Sequence, residues 1–74
     1  MRISRAAEAS GVSKQSIQYY IMLGLLEPAG RTPAGHQLFD EASLDRIRMI
    51  RQLNDSGYPL REIRDIFLKR GDQR

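Results

Sequence analysis

The stretch GVSKQSIQYYIMLGLL, residues 11–26, decides the fold because a turn, a capped helix and a helix ending follow one another within it. Ser13 is suited to accept a hydrogen bond from the first turn of a helix, and Val12 and Ile17 are spaced as the apolar pair that often brackets such a cap. Gly24 is typical of the left-handed residue that ends a helix. The stretch therefore predicts one short helix, polar and basic in its first turns and apolar towards its end.

Another short helix is predicted just before this one. Ser4 is a candidate N-cap, the residues after it are rich in alanine, and Gly11 is suited to end the helix. Two short helices joined by a tight turn that contains glycine form a helix-turn-helix, here over about residues 4–23. Many three-helix cores share this pattern, so by itself it leaves DNA binding open.

Residues 25–39 are predicted to form a β-hairpin. Their middle holds two prolines and two glycines, which exclude a helix, and short apolar segments flank that middle.

Two further helices are predicted over about residues 41–69. Asp40 is the expected N-cap of the third helix, whose apolar residues recur every three positions, with Met49 expected on the same flank. Pro59 suits the first turn of the fourth helix. The predicted joint between these helices consists of Leu44, Ile47, Ile50, Ile63 and Phe67. The whole pattern predicts a mostly α fold, a single domain over residues 1–74 with four helices and a short β-hairpin.

Length and composition exclude several classes of protein. A chain of 74 residues forms one small domain with little room for a deep cleft, and we expect no enzymatic activity. The chain has no cysteine and a single histidine, His36, so neither a metal site nor a bound cofactor is predicted. The N-terminus lacks the apolar core of a signal peptide, and no apolar run is long enough to cross a bilayer. We therefore expect a cytoplasmic protein with no membrane partner.

The charge of the chain weakly favours a polyanionic partner. The net charge is +3 and the isoelectric point is about 9.8. Residues 1–39 contain four basic and two acidic side chains, whereas residues 40–74 contain eight and seven, interleaved as on solvated helix faces. The first half, with the helix-turn-helix, therefore carries most of the positive excess.

Four segments, in this order, resemble the DNA-binding domain of MerR-type transcription regulators. They are ISRAAEASGVS, SIQYY followed by LGLL, GHQLFDEASLDRIRMI and LNDSGYPLREIRDIF, and they extend from Ile3 to about Leu68. The resemblance implies a winged helix-turn-helix whose second helix enters the major groove of double-stranded DNA. It also implies that the hairpin, as a wing, and the later helix pair contact flanking phosphates, and that the protein binds as a dimer and associates with the nucleoid when bound.

The resemblance and the chemistry of the side chains together predict the residues that contact DNA. Gln15 and Gln18 can each offer a donor and an acceptor to an adenine edge, and Lys14 lies beside them. Tyr19 can donate to a phosphate, and Arg31 on the wing suits a phosphate or minor-groove contact. The full predicted set is Arg5, Ser13, Lys14, Gln15, Gln18, Tyr19, Arg31, Thr32, Gln37 and Tyr58.

Four positions depart from the pattern usual in MerR-type domains. Gln18 and Gln37 stand where the family usually has arginine, so binding to DNA should be weaker or directed to other bases. Phe39 replaces a usual tyrosine. Ile21 stands where the family usually has glutamate, and with Met22 it is a candidate apolar patch for a protein partner.

Two functions therefore remain open. One is a sequence-specific double-stranded DNA-binding domain of a transcription regulator, and the alternative is a protein-interaction module on the same scaffold with little DNA binding. Binding that weakens steeply with salt would favour the first, and a flat response would favour the second. A homodimer or a protein partner would be reached through regions absent from this chain or through Ile21 and Met22.

Overall fold

The computed structural model describes the backbone of residues 1–72 and the side chains of residues 1–69. Four helices and one antiparallel two-stranded sheet follow in the order α1 (Ile3–Ser10), α2 (Lys14–Met22), β1 (Gly30–Arg31), β2 (Gln37–Leu38), α3 (Glu41–Asp55) and α4 (Leu60–Asp72). The predicted architecture, four helices with a short hairpin, is confirmed. None of the helices in this described part is long and apolar enough to cross a lipid bilayer.

Local hydrogen bonds form the turn between α1 and α2. Gly11 ends α1 with a φ of 74°, and its N–H donates to the carbonyl oxygen of Ala7 at 2.9 Å. Ser13 caps α2, since its Oγ accepts a hydrogen bond from the backbone N–H of Ser16 at 3.1 Å. Both features were predicted from residues 11–26, and both are confirmed.

The end of α2 is a Schellman motif centred on Gly24, which has a φ of 80°. The N–H of Leu25 donates to the carbonyl oxygen of Tyr20 at 2.9 Å, and the N–H of Gly24 donates to that of Ile21 at 3.0 Å. The motif reverses the chain so that Leu25 enters the core directly after the helix.

The prediction that Ser4 caps α1 is wrong. The helix begins at Ile3, and Arg2 holds the N-cap position in an extended conformation without a side-chain cap. Met1 and Phe39 exchange two backbone hydrogen bonds, each with a nitrogen–oxygen distance of 2.6 Å, immediately before the helix. A contact between distant parts of the chain, rather than a capping side chain, sets the start of α1.

A capping box begins α3. The carboxylate of Asp40 accepts from the N–H of Ser43 at 2.9 Å, and the Oγ of Ser43 accepts from the N–H of Asp40 at 3.2 Å. The hydrogen bonds from the backbone and side chain of Ser43 lower the pKa of Asp40, because they favour the ionised carboxylate. At the other end of α3, Gly57 has a φ of 107° and turns the chain into Pro59, just before α4.

The core is one cluster of apolar side chains from all four helices and from the segments that flank the hairpin. Of the predicted joint between α3 and α4, only Phe67 is half-buried rather than buried. The prediction for Met49 is wrong: it is 44% exposed, because it lies about 160° around the helix from Ile47. The buried apolar residues are Ala6, Val12, Ile17, Tyr20, Leu25, Leu26, Phe39, Leu44, Ile47, Ile50 and Ile63.

Two arginines of α3 connect elements, although the charge pattern predicted that they would be solvated. The Nε of Arg46 donates to the carbonyl oxygen of Leu25 at 3.0 Å, and its guanidinium carbon lies 3.7 Å from the centroid of the Phe67 ring. Burial lowers the pKa of Arg46. The Nη2 of Arg48 donates to the carbonyl oxygen of Ala9 at 3.1 Å, a favourable place for a cation because it is the C-terminal end of α1.

Candidate nucleic-acid interface

One face of α2 is exposed and largely polar. Lys14, Gln15, Gln18 and Tyr19 are all exposed, and their spacing places them on the same side of the helix. Ile17, on the other side, is buried in the core. The structure thus brings the predicted contact residues within α2 together on a face that the core does not use.

Ser13 lies at the start of this face, but its hydroxyl is engaged with α2. Its Oγ accepts from the backbone N–H of Ser16 and lies 3.0 Å from the Oγ of Ser16, to which it donates. The remaining N–H groups of the first turn and the helix dipole favour a negatively charged group at this end. Contact between Ser13 and DNA stays a prediction, while its structural role is to hold the N-terminus of α2.

The wing, residues 25–39, is closed by Thr32. Its N–H donates to the carbonyl oxygen of His36 at 2.9 Å, and its Oγ1 accepts from the N–H of His36 at 3.1 Å. The N–H of Gly35 donates to the carbonyl oxygen of Thr32 at 2.8 Å and completes the turn. Arg31 is exposed on β1 immediately before this turn. The wing therefore presents a cationic side chain beside a turn that Thr32 orders.

A side-chain hydrogen bond joins α2 to the wing. The Nε2 of Gln18 donates to the Oε1 of Gln37 at 3.1 Å, between residues 19 positions apart in the chain. No other side-chain hydrogen bond connects α2 and the wing within residues 1–69. These are the two positions at which the resemblance to MerR-type domains implies arginine, and here two neutral amides meet.

The surface formed by α2 and the wing has a positive balance of charge. Residues 14–22 contain Lys14 and no carboxylate, whereas the wing contains Arg31 and one exposed acidic side chain, Glu27, which lies before β1. The ion pairs seen among the described side chains lie instead within α3. Phosphate groups that approach the exposed face of α2 would meet no carboxylate on that helix.

Two further predicted contact residues lie on other elements. Arg5 is exposed on α1, and Tyr58, between α3 and α4, is 42% exposed. The carbonyl oxygen of Tyr58 accepts a hydrogen bond from the Nδ2 of Asn54 at 2.9 Å, which stabilises the turn. Within residues 1–69, no side-chain hydrogen bond connects Arg5 or Tyr58 to α2 or to the wing, and their contact with DNA stays a prediction.

The two residues of the predicted apolar patch differ in exposure. Met22 is 78% exposed, whereas Ile21 is half-buried and packs against the core. Ile21 therefore has a structural role, and a single exposed methionine is common on protein surfaces. The pair offers less apolar surface to a protein partner than its sequence indicated.

His36 is exposed near the outer end of the wing, where its Nδ1 lies 3.5 Å from the Oγ1 of Thr32. In the part of the chain that the structure describes, no three His, Cys, Asp or Glu side chains come together to hold a metal ion. We assign His36 to the wing.

The two-helix unit, its exposed polar helix and the adjoining hairpin define a winged helix-turn-helix. Residues 1–69 match the family described as MerR HTH family regulatory protein. The chain is 41% identical over 63 residues to the nodulation protein NolA of Bradyrhizobium elkanii, an alignment that covers 85% of this chain and 29% of NolA.

Solved structures of the same family have closely similar folds. The N-terminal part of the multidrug transporter activator of Bacillus subtilis, MtaN, has a TM-score of 0.84 and 33% identity, covering 90% of this chain and 63% of that chain. HiNmlR, a MerR family regulator that lacks the sensor domain and is bound to promoter DNA, has a TM-score of 0.83 and 27% identity, covering 89% and 50%.

The chain belongs to the MerR family and forms its winged helix-turn-helix DNA-binding domain, as the sequence predicted. It spans less than half the length of the curated relatives it matches, so the activities of those whole proteins do not follow for it. None of these similarities supports the alternative of a protein-interaction module.

Proposed function

We propose that residues 1–74 act as one sequence-specific, double-stranded DNA-binding domain of a transcription regulator, with α2 in the major groove and the wing on flanking DNA. The observation that supports this best is the surface of α2 and the wing, which the Gln18–Gln37 hydrogen bond joins and on which two cations, Lys14 and Arg31, outnumber one carboxylate, Glu27. The major groove admits an α-helix, and the phosphates on either side attract cationic side chains.

The predicted contacts divide into those that read bases and those that position the domain. Gln15 and Gln18 are proposed to read base edges, because a carboxamide offers a donor and an acceptor to adenine, and Lys14 is suited to guanine. Tyr19 and Arg31 are proposed to contact the sugar-phosphate backbone. The other backbone contacts are proposed for Arg5, Ser13, Thr32 and Tyr58, and Gln37 is proposed to lie at the DNA beside Gln18.

We also propose that the domain works in the cytoplasm, associated with the nucleoid when bound to DNA, and that it has no catalytic activity. The similarity to regulators supports this assignment.

The salt dependence of binding tests the proposed function. Duplexes enriched from a randomised library by the 74-residue chain provide the probe, and fluorescence anisotropy measures the binding constant at several salt concentrations. If Arg5 and Arg31 each neutralise one phosphate, the logarithm of the binding constant should fall against the logarithm of the salt concentration with a slope of about −1.8. Failure to enrich any duplex, or a flat salt response with the duplexes that are enriched, would contradict DNA binding.

Arg31→Ala is expected to weaken binding to all duplexes by a similar factor. A phosphate contact carries no sequence information, and its loss should make the salt slope less negative by about 0.9. Arg51→Ala is the matched control, because the Nε of Arg51 lies 3.1 Å from the Oδ2 of Asp55 within α3. Equal effects of the two changes would contradict the placement of the wing on DNA.

Gln18→Arg is expected to tighten binding and to make the salt slope more negative by about 0.9, because it restores a cation at a position where the family usually has arginine. Gln18→Met, with a similar length and no charge, should leave the slope unchanged. Titrations at two salt concentrations that show neither tighter binding nor a steeper response for Gln18→Arg would count against the proposed orientation of α2.

A further inference from the structure

We propose that Gln37 is a positioning residue for Gln18, and that the two hydrogen-bonded carboxamides read one base pair as a unit. The inference rests on the proposed function and extends it, because a wing residue would then determine base preference through a side chain of α2. Neither glutamine was expected from the sequence to act through the other.

The environments of the two side chains indicate which glutamine positions the other. Gln18 is exposed on α2, where a long side chain ordinarily samples several rotamers. Gln37 is half-buried on β2, and its backbone is paired with that of Arg31 on β1. The hydrogen bond of 3.1 Å therefore links the exposed side chain of Gln18 to the more restricted side chain of Gln37, so Gln37 is the residue that positions Gln18.

The hydrogen bond leaves Gln18 able to read a base. A primary amide has two N–H donors and a carbonyl acceptor, so donation of one N–H to Gln37 leaves one N–H and the oxygen. Adenine presents an acceptor at N7 and a donor at its N6 amino group in the major groove, which is the complementary pair. Because the side chain is held before DNA arrives, less rotamer freedom is lost on binding.

The hydrogen bond depends on glutamine at both positions, where the resemblance implies arginine. A guanidinium group has five N–H donors and no acceptor, so two arginines at these positions have no means of forming the bond. Two glutamines supply both a donor and an acceptor. The pair forms one oriented, neutral group.

Three variants test the inference on duplexes enriched by the unmodified chain and then substituted one base pair at a time. Gln18→Ala identifies the base pair that Gln18 reads, by loss of the roughly 5- to 150-fold discrimination that a bidentate contact provides. Gln37→Met, which keeps the length but removes the acceptor, should reduce discrimination at that same base pair. The double variant should lose no more discrimination there than Gln18→Ala alone.

Gln37→Glu is the matched control, because it keeps an acceptor oxygen in place. It should retain discrimination at that base pair while its negative charge weakens binding to every duplex. If Gln37→Met instead weakens all duplexes equally and leaves discrimination intact, Gln37 is a backbone contact and the inference is overturned, although the proposed function stands. Absence of DNA binding by the unmodified chain would overturn both.

A measurement without DNA keeps the inference testable if a variant binds weakly. In nitrogen-15 NMR spectra of the free protein, Gln37→Met should shift the side-chain amide signals of Gln18, while thermal melts confirm that the variant is folded. Unchanged Gln18 signals in a folded variant would show that the hydrogen bond is absent, and would overturn the inference.

Discussion

Replacing Ile47 with alanine should destabilise the domain by about 2 to 5 kcal/mol. Ile47 is completely buried in α3, so the change removes three carbon atoms from a packed core and leaves a cavity. The total stability of small domains is on the order of 5 to 15 kcal/mol, so a large share would be lost. Thermal melts should show it clearly, since each 1 kcal/mol lowers the Tm of a domain of this size by about 4–8 °C.

Met49→Ala is the matched control for this prediction. Met49 lies two residues further along the same helix but is 44% exposed, and its replacement should change the free energy of unfolding by on the order of 0.5 kcal/mol. If both variants melt at the temperature of the unmodified chain, Ile47 does not lie in the core. If Met49→Ala is the more damaging, the orientation of α3 is wrong.

Local signals in the sequence predicted the parts of the fold that local hydrogen bonds form. The roles of Ser13, Gly24 and Asp40 were recognisable because each depends on partners only a few residues away. The start of α1 was not, because it depends on hydrogen bonds between Met1 and Phe39, 38 positions apart. The roles of α3 arginines in joining elements were hidden for the same reason, since their partners lie on distant segments.

The same distinction holds for the candidate site: features set by nearby residues could be predicted from the sequence, and contacts between distant segments could not. Helical periodicity is sufficient to place Lys14 and Gln15 on one exposed face of α2, because the apolar residues of the helix mark the opposite face, which packs into the core. The contact between Gln18 and Gln37 depends on how the wing lies against α2. From the sequence, each glutamine was only a separate departure from the arginine that the resemblance implies. Their proximity in the structure is what indicates a joint role.

Gln15→Ala should reduce discrimination at one base pair by about 1 to 3 kcal/mol while binding to other sequences changes little. Gln15 is exposed in the first turn of α2, where its carboxamide can approach a base edge. Alanine has the highest helix propensity, so α2 should remain folded. Anisotropy titrations on duplexes substituted one base pair at a time measure the effect.

Gln15→Glu distinguishes a lost base contact from an altered one. Glutamate keeps the length of the side chain but offers only acceptors when ionised, so preference at that base pair should move from adenine towards cytosine, whose amino group donates in the major groove. Its negative charge should also weaken binding to every duplex. If neither Gln15 variant alters base preference while Arg31→Ala still weakens binding to all sequences, Gln15 does not face the bases, and the domain reads its site through other residues.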